Sequence, residues 1–267
     1  MAKPLLPDEL WDEIEPLIPP DRPHPKGGRP FVPARAVLTG IIFVLRTGLP
    51  WELLPREMGC GSGMTCWRRL RDWQAAGVWA AIHRKLLDRL GGADRIDWSR
   101  ASVDSASVPA PAGGEHTGPN PTDRGKSGAK HHLLVDGRGT PLAAEQTAAN
   151  APDGAALEGT VDGVPPIRRP RGRPRRRPAK LHADKAYDAK KHRATLRRRR
   201  IRPRIARRGV ESSARLGRHR WVVERTLSWL HRFRRLRVRD ERRADIHRAF
   251  LHLGVALLTW DAIQRLC

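Results

Sequence analysis

Hydrophobic periodicity changes character once along this chain, near residue 95, and no other feature restricts the available architectures as much. Before that point apolar residues recur at helical spacing. "LPDELWDEIEPLIPP" carries Leu10, Ile14, Leu17 and Ile18 in such a pattern and stops at a double proline. A Pro/Gly-rich basic linker follows over 21–33, then an apolar helix from about Pro33 to Thr47, ended by "TGLP". "WELLPREMG" and "GMTCWRRLRDWQAAG" read as two short helices around a glycine turn at Gly59–Gly63, and 78–90 as a further helix. Beyond residue 95, residues 101–108 alternate as a strand does, and 131–149 read as two strands around a turn at Asp136–Gly139. A short helix near Asp153, an apolar run into a loop over 179–188, a basic helix, a short strand within 201–208 and two terminal helices complete the pattern. The polar loop 115–128 reads as mobile. The expected fold is α/β, a mixed sheet with flanking helices behind an all-α, helix-turn-helix-like N-terminal domain. The expected division is 1–95 and 96–267.

Charge narrows the partner. Lys and Arg number 52 against 28 Asp and Glu, a net charge of +24. Phosphates are the natural counter-charge for such a chain, so a polyanion is expected. A membrane partner is not: no run approaches the roughly 18 apolar residues of a spanning helix. "MAKPLLPDEL" lacks the apolar block of a signal peptide. Three cysteines without CxxC spacing give neither a disulfide framework nor a zinc site. A cytoplasmic, nucleoid-associated setting is the expectation.

Two segments are suited to nucleic acid. In the helix–turn–helix candidate, Trp67, Leu70 and Trp73 form an inner stripe, which leaves Thr65, Arg68, Arg69 and Arg71 for DNA. The competing reading is a helical hairpin with a solvated basic face. The second segment, 167–180, holds eight Lys/Arg in fourteen residues, and its core "PRGRP" is similar to an AT-hook. Without secondary structure, Arg171 and Arg173 would follow phosphates or a narrow groove.

Carboxylates are scarce in the basic part: 31 Lys/Arg against six acids between 168 and 243. Asp184 ends an apolar run that would deliver it to the carboxyl edge of a sheet, where α/β active sites often lie. Asp104 sits in an earlier strand among small residues. On a helical wheel, Val222, Trp229, Phe233 and Leu236 share one face, extended by Leu230, and Glu224 falls opposite with Arg220, Ser228 and His231. Three carboxylates from two strands and a helix suit a pair of Mg²⁺ ions, which prefer oxygen ligands. Two such ions about 4 Å apart activate an attacking hydroxyl and stabilise a leaving oxygen. Spacing alone leaves Asp97, Asp123 and Asp136 as alternatives.

"GRPFVPARAVLTGIIFVLRTGLPWELLP", "WRRLRDWQAAGVW", "SVDSAS", "GAKHHLLVDGRGTPL", "LHADKAYD" and "RHRWVVERTLSWLHRFRRL" together resemble, in order, bacterial insertion-sequence transposases of the DDE type. The likeness is to the group related to the IS-five and IS-four families. It implies a ribonuclease-H-like catalytic domain with Asp104, Asp184 and Glu224 as catalytic residues and metal ligands, separated by 80 and then 40 residues. It further implies two Mg²⁺ ions, replaceable by Mn²⁺, with double-stranded DNA as partner and a homodimer or higher oligomer on it. Of the motif Tyr-x2-Arg-x3-Glu-x6-Lys, Arg220 and Glu224 fit, while Gly217 and His231 stand at the Tyr and Lys positions. Arg220 and His231 are then expected to contact DNA. The alternatives are a catalytically inactive DNA-binding derivative and a metal-dependent nuclease.

Overall fold

The computed structural model describes residues 4–21, 30–207, 209–210 and 217–266, with only the backbone of Gly217 and Arg218. Most of the linker expected over 21–33 lies outside the described residues, as do Glu211 and Cys267. The N-terminal part is helical: α1 (Asp8–Ile14), α2 (Ala34–Thr47), α3 (Gly63–Ala75) and α4 (Val78–Gly92). α2 stops where Gly48 adopts a left-handed φ of 72°, which glycine reaches without a Cβ penalty, and its N–H caps the Val44 carbonyl at 2.8 Å. α3 starts at Ser62, whose hydroxyl accepts from the Thr65 amide. "WELLPREMG" departs from the expected helix. It forms two single 3-10 turns, Trp51–Leu53 and Arg56–Met58. Pro50 and Pro55 precede them, and a proline forces its predecessor out of helical geometry, which leaves room for one turn each.

The sheet comprises β1 (Ala101–Pro109), β2 (Gly118–Pro119), β3 (Ser127–Asp136), β4 (Pro141–Ala148), β5 (Lys180–Ala183) and β6 (Arg202–Ile205). β3 pairs antiparallel with β1 and β4 over the same stretch, so it lies between them. β1 pairs parallel with β5, and β5 with β6. The main order is therefore β4-β3-β1-β5-β6, with β2 paired at the start of β3. The expected hairpin is present. Asp136 closes it by accepting from the Arg138 and Thr140 amides.

The remaining helices are α5 (Leu157–Asp162), α6 (Lys190–Arg198), α7 (Gly217–Leu230), α8 (Arg234–Arg237) and α9 (Ala244–Leu266). Strand alternation sends successive β1 side chains to opposite faces. Ser102 reaches the His219 carbonyl on α7, whereas Ser105 reaches Asp153 just ahead of α5. The resulting mixed sheet with flanking helices behind a helical region is the α/β, ribonuclease-H-like arrangement expected.

α9 belongs to both halves. It packs on α3 and α4 as well as on β4 and α7. Phe250 stacks on Trp51 at 5.8 Å between ring centroids, and Arg89 of α4 lies over Trp260. One hydrophobic core consequently runs from Leu10 through Leu86 and Leu253 to Leu133 and Leu181. Loop 115–128, expected to be mobile, is fastened near its start. Arg239 has no exposed surface and donates to the carbonyls of Glu115, His116, Glu241 and Arg242.

Candidate active site

Parallel pairing fixes where the acids stand. Ala101 is level with Leu181 and Ser102 with His182, so Asp104 and Asp184 are carried to the same end of the sheet. Asp184 follows β5 directly and accepts from the Ala186 amide, capping a 3-10 turn over Lys185–Tyr187. α7 lies over β1, β3 and β5 and supplies Arg220 and Glu224. Arg220 Nη2 is 2.6 Å from Asp104 Oδ2 and 3.6 Å from Glu224 Oε1. The Asp104 and Arg220 side chains are each 15% exposed, whereas Glu224 is 56% exposed. Among the described residues, no three His, Cys, Asp or Glu side chains converge closely enough to hold a metal ion. The geometry instead brings Asp104 and Glu224 onto a guanidinium, with Asp184 beside them.

Burial pushes the Asp104 carboxyl above its ordinary range, and Asp184 adds to this while Arg220 opposes it. Burial disfavours the Arg220 charge, yet Asp104, Asp184 and Glu224 together raise its pKa. The acids thus favour a cation among them, while burial works against the charges on both Asp104 and Arg220. The three carboxylates are also the hard oxygen donors a divalent ion takes, so the donor types suit such an ion even though they do not converge on one point as they stand. Of the alternative acids, Asp136 closes its hairpin, and Asp97 caps the Ser99 amide.

Two expected features of the α7 region change. The helical wheel assumed one helix through Leu236, but α7 ends at Leu230 and α8 begins at Arg234. The buried stripe is Val222, Val223, Thr226, Leu227 and Leu230, with Trp229 only partly covered. His231, still hydrogen-bonded in the helical manner to the Leu227 carbonyl, also faces inward. Its Nε2 lies 3.3 Å from His131 Nδ1, and His131 Nε2 lies 2.8 Å from His247 Nε2. His247 Nδ1 is 3.6 Å from Glu241, which is paired with Arg235 at 2.6 Å. Were His247 protonated on the Nδ1 that faces Glu241, His131 would donate to His247 and His231 to His131, in one chain. Arg235 also donates to the Gly48 and Leu49 carbonyls, so this chain ties the end of α7 to the end of α2.

These histidines make stability depend on pH. Burial lowers the pKa of His131, His231 and His247, and it pushes His83, His132 and His252 down to about 4. The unfolded chain titrates near 6.5, so it binds more protons than the folded one below that pH. The stabilisation is complete above about pH 6.5 and is lost as pH falls toward 4, up to about 1.4 kcal/mol per group per pH unit. Asp104, Asp136 and Asp240, with raised pKa values, oppose this but are fewer. Urea denaturation is expected to show a much lower midpoint at pH 5 than at pH 7.5, and equal midpoints would contradict it.

The basic segments are more built than the sequence suggested. Arg68 is exposed on α3. Arg69 is ion-paired with Asp21 and lies over Phe31 and Trp73, and Arg71 pairs with Asp72 over Trp67. Cys66, rather than Trp67, joins Leu70 and Trp73 in the core. The segment around "PRGRP" is no free strand. Ile167 and Arg175 exchange both backbone hydrogen bonds, and Gly172 turns the tip with φ 83°. Arg175 rests on Trp98, and Arg176 donates to the Asp162 and Val164 carbonyls. Arg171 and Arg173 stand exposed on this hairpin. It precedes β5, so it lies at the opposite end of the sheet from Asp104 and Asp184.

Sequence reasoning missed two neighbours of the site. Trp221 is 51% exposed beside Arg220, and Arg225 is sandwiched between Trp221 and Trp229 at 4.6 and 4.5 Å. An apolar residue off the buried stripe of a basic helix was the available signal. Behind the acids, Asp153 accepts from Ser105 and Lys130 at 2.8 Å each, close to the buried Tyr187. No local pattern marks that contact.

Residues 97–259, more than half of the chain, match the family model described as a transposase DDE domain. Residues 6–83 match a model described as a putative transposase of the IS4/5 family. A putative transposase for insertion sequence element IS402 from Burkholderia cepacia is 51% identical over 176 residues, 65% of this chain and 82% of the relative. A 16.2 kDa uncharacterized protein of the same element and organism is 60% identical over 123 residues, 45% of this chain and 84% of the relative.

Proposed function

Because this chain belongs to the IS4/5-related DDE transposases, and is thus a DNA-binding, divalent-metal-dependent enzyme, we propose that Asp104, Asp184 and Glu224 are its catalytic acids. The observation that supports this is their arrangement around Arg220 at one end of the sheet. The three carboxylates would hold Mg²⁺, which supplies Lewis acidity toward the attacking and leaving oxygens of a phosphodiester. Arg220 would contact a phosphate oxygen near the scissile bond. The partly exposed α3, through Arg68, Arg69 and Arg71, would read the terminal repeats of the element. Glu224, more than half exposed, can shift toward the other two acids without breaking the core. His231 is occupied with His131, so a DNA contact from this position would use its other ring nitrogen. Handling two element ends calls for a homodimer or higher oligomer, and the setting would be the cytoplasmic nucleoid.

The test is incubation with Mg²⁺ and DNA carrying the terminal repeats. Cut ends that then join a second duplex support the reading. Hydrolysis without joining would indicate a nuclease, and binding without cutting an inactive derivative.

Arg171 and Arg173 would grip the DNA backbone away from the scissile phosphate. Each phosphate contact releases counterions, contributing about 0.9 to the slope of log affinity against log salt. Replacing both by Ala is expected to reduce that slope by roughly 2, read by fluorescence anisotropy with one duplex across a salt series. An unchanged slope would remove the hairpin from the interface.

A further inference from the structure

Arg239 and Arg220 are both largely buried, and they are held in different ways. Arg239 uses Nε, Nη1 and Nη2 on four backbone carbonyls, a fixed structural cross-link. Among the described residues Arg220 donates through Nη2 to Asp104, with Glu224 at 3.6 Å, and its Nε is buried without an acceptor. A guanidinium carries five donors in a rigid fork, and at Arg220 the Nε–H is left over where it stands. Its position is set by charge rather than by a built hydrogen-bonding socket.

That position coincides with where an inorganic cation would be needed. A divalent ion of the magnesium class sits about 2.1 Å from its carboxylate oxygens. Arg220 Nη2 already lies 2.6 Å from Asp104 Oδ2 and within 3.6 Å of Glu224. An ion shared by these two acids would have to overlap the guanidinium or sit against it, like charge beside like charge. Resting on the reading of Asp104, Asp184 and Glu224 as metal ligands, we propose that Arg220 is a resident counter-cation that occupies the metal position in the DNA-free enzyme and must leave before the metal loads.

The consequence is an ordered assembly. Without DNA, Arg220 neutralises the acids and competes with the metal. A DNA phosphate offers the guanidinium another anion, and the partly exposed end of α7 gives it somewhere to go. Metal loading then follows DNA engagement, which keeps the enzyme from being a metal-charged hydrolase in free solution.

The experiment is isothermal titration of the DNA-free full-length chain with Mn²⁺, which reads metal affinity independently of cleavage. Wild type is compared with Arg220→Gln, Arg220→Lys and Asp104→Asn, each checked for folding by near-UV circular dichroism. Arg220→Gln is expected to bind Mn²⁺ at least tenfold more tightly than wild type. Arg220→Lys keeps the charge and should stay within about threefold of wild type. Asp104→Asn should lose the binding. Equal or weaker binding by Arg220→Gln, with Asp104→Asn still losing it, overturns the counter-cation role alone. Equal tightening by Gln and Lys overturns it too, because charge would not be the cause. Mn²⁺ binding that Asp104→Asn leaves intact overturns the ligand reading and the inference with it.

Discussion

Asp104→Asn is expected to lower metal-dependent DNA cleavage by roughly a thousandfold or more, because on the proposed reading it would remove an anionic ligand from the metal ions. Asp184→Asn and Glu224→Gln should act alike. The replacement is isosteric, so packing against Ser105 and α7 is kept. Folding stability is a separate matter. Loss of the Asp104 charge would leave the Arg220 guanidinium, 15% exposed, with Glu224 as its remaining close anion. Burial disfavours the Asp104 charge in the folded chain and offsets part of that loss, so the net change is expected to stay within about 1–3 kcal/mol. DNA affinity should hold or rise slightly, since a negative charge leaves a basic surface. Single-turnover cleavage of an end-bearing duplex, with binding measured in parallel, separates the effects. Cleavage within tenfold of wild type in any one of the three variants would remove that residue from the catalytic set.

The largest effect on folding is expected at Arg239. Its side chain is fully buried and joins loop 115–128 to the segment before α9 through four carbonyls. Arg239→Met keeps much of the volume but leaves those carbonyls without their donors. The cost is about 3–5 kcal/mol, within a total folding stability of about 5–15 kcal/mol. For a chain of this size the unfolding midpoint should fall by roughly 10 °C. Arg239→Lys should not rescue it, because one ammonium cannot span acceptors arranged for a planar fork. A shift under about 2 °C in calorimetry would show that water replaces the lost donors at little cost.

Much of the architecture was legible because it is written locally. Gly48 after an apolar helix, alternation over 101–108, and a turn at Asp136–Gly139 each name their own structure. The order of the acids along the chain was legible too, and parallel pairing explains why Asp104 and Asp184 reach the same edge. What escaped depends on contacts between distant residues. Leu230, Phe233 and Leu236 keep a helical rhythm across the break after α7, because α7 and α8 are both helical and bury the same kind of residue. His231 therefore looked solvent-facing, although His131, a hundred residues earlier, draws it inward. The "PRGRP" segment has the composition of an unstructured arm. Its closure rests on two backbone bonds and on Arg175 stacking over Trp98, which composition does not encode.

The shared position of α9 has a consequence for synthesis. Residues 244–266 form a wall of the helical head, whose other helices were made first. While the chain grows, the faces of α3 and α4 that α9 covers stay open until residues 244–266 emerge. The helical head is thus made before the sheet and finished after it. A ribosome-bound chain that has not yet reached residue 244 would carry the arginines of α3 without that support.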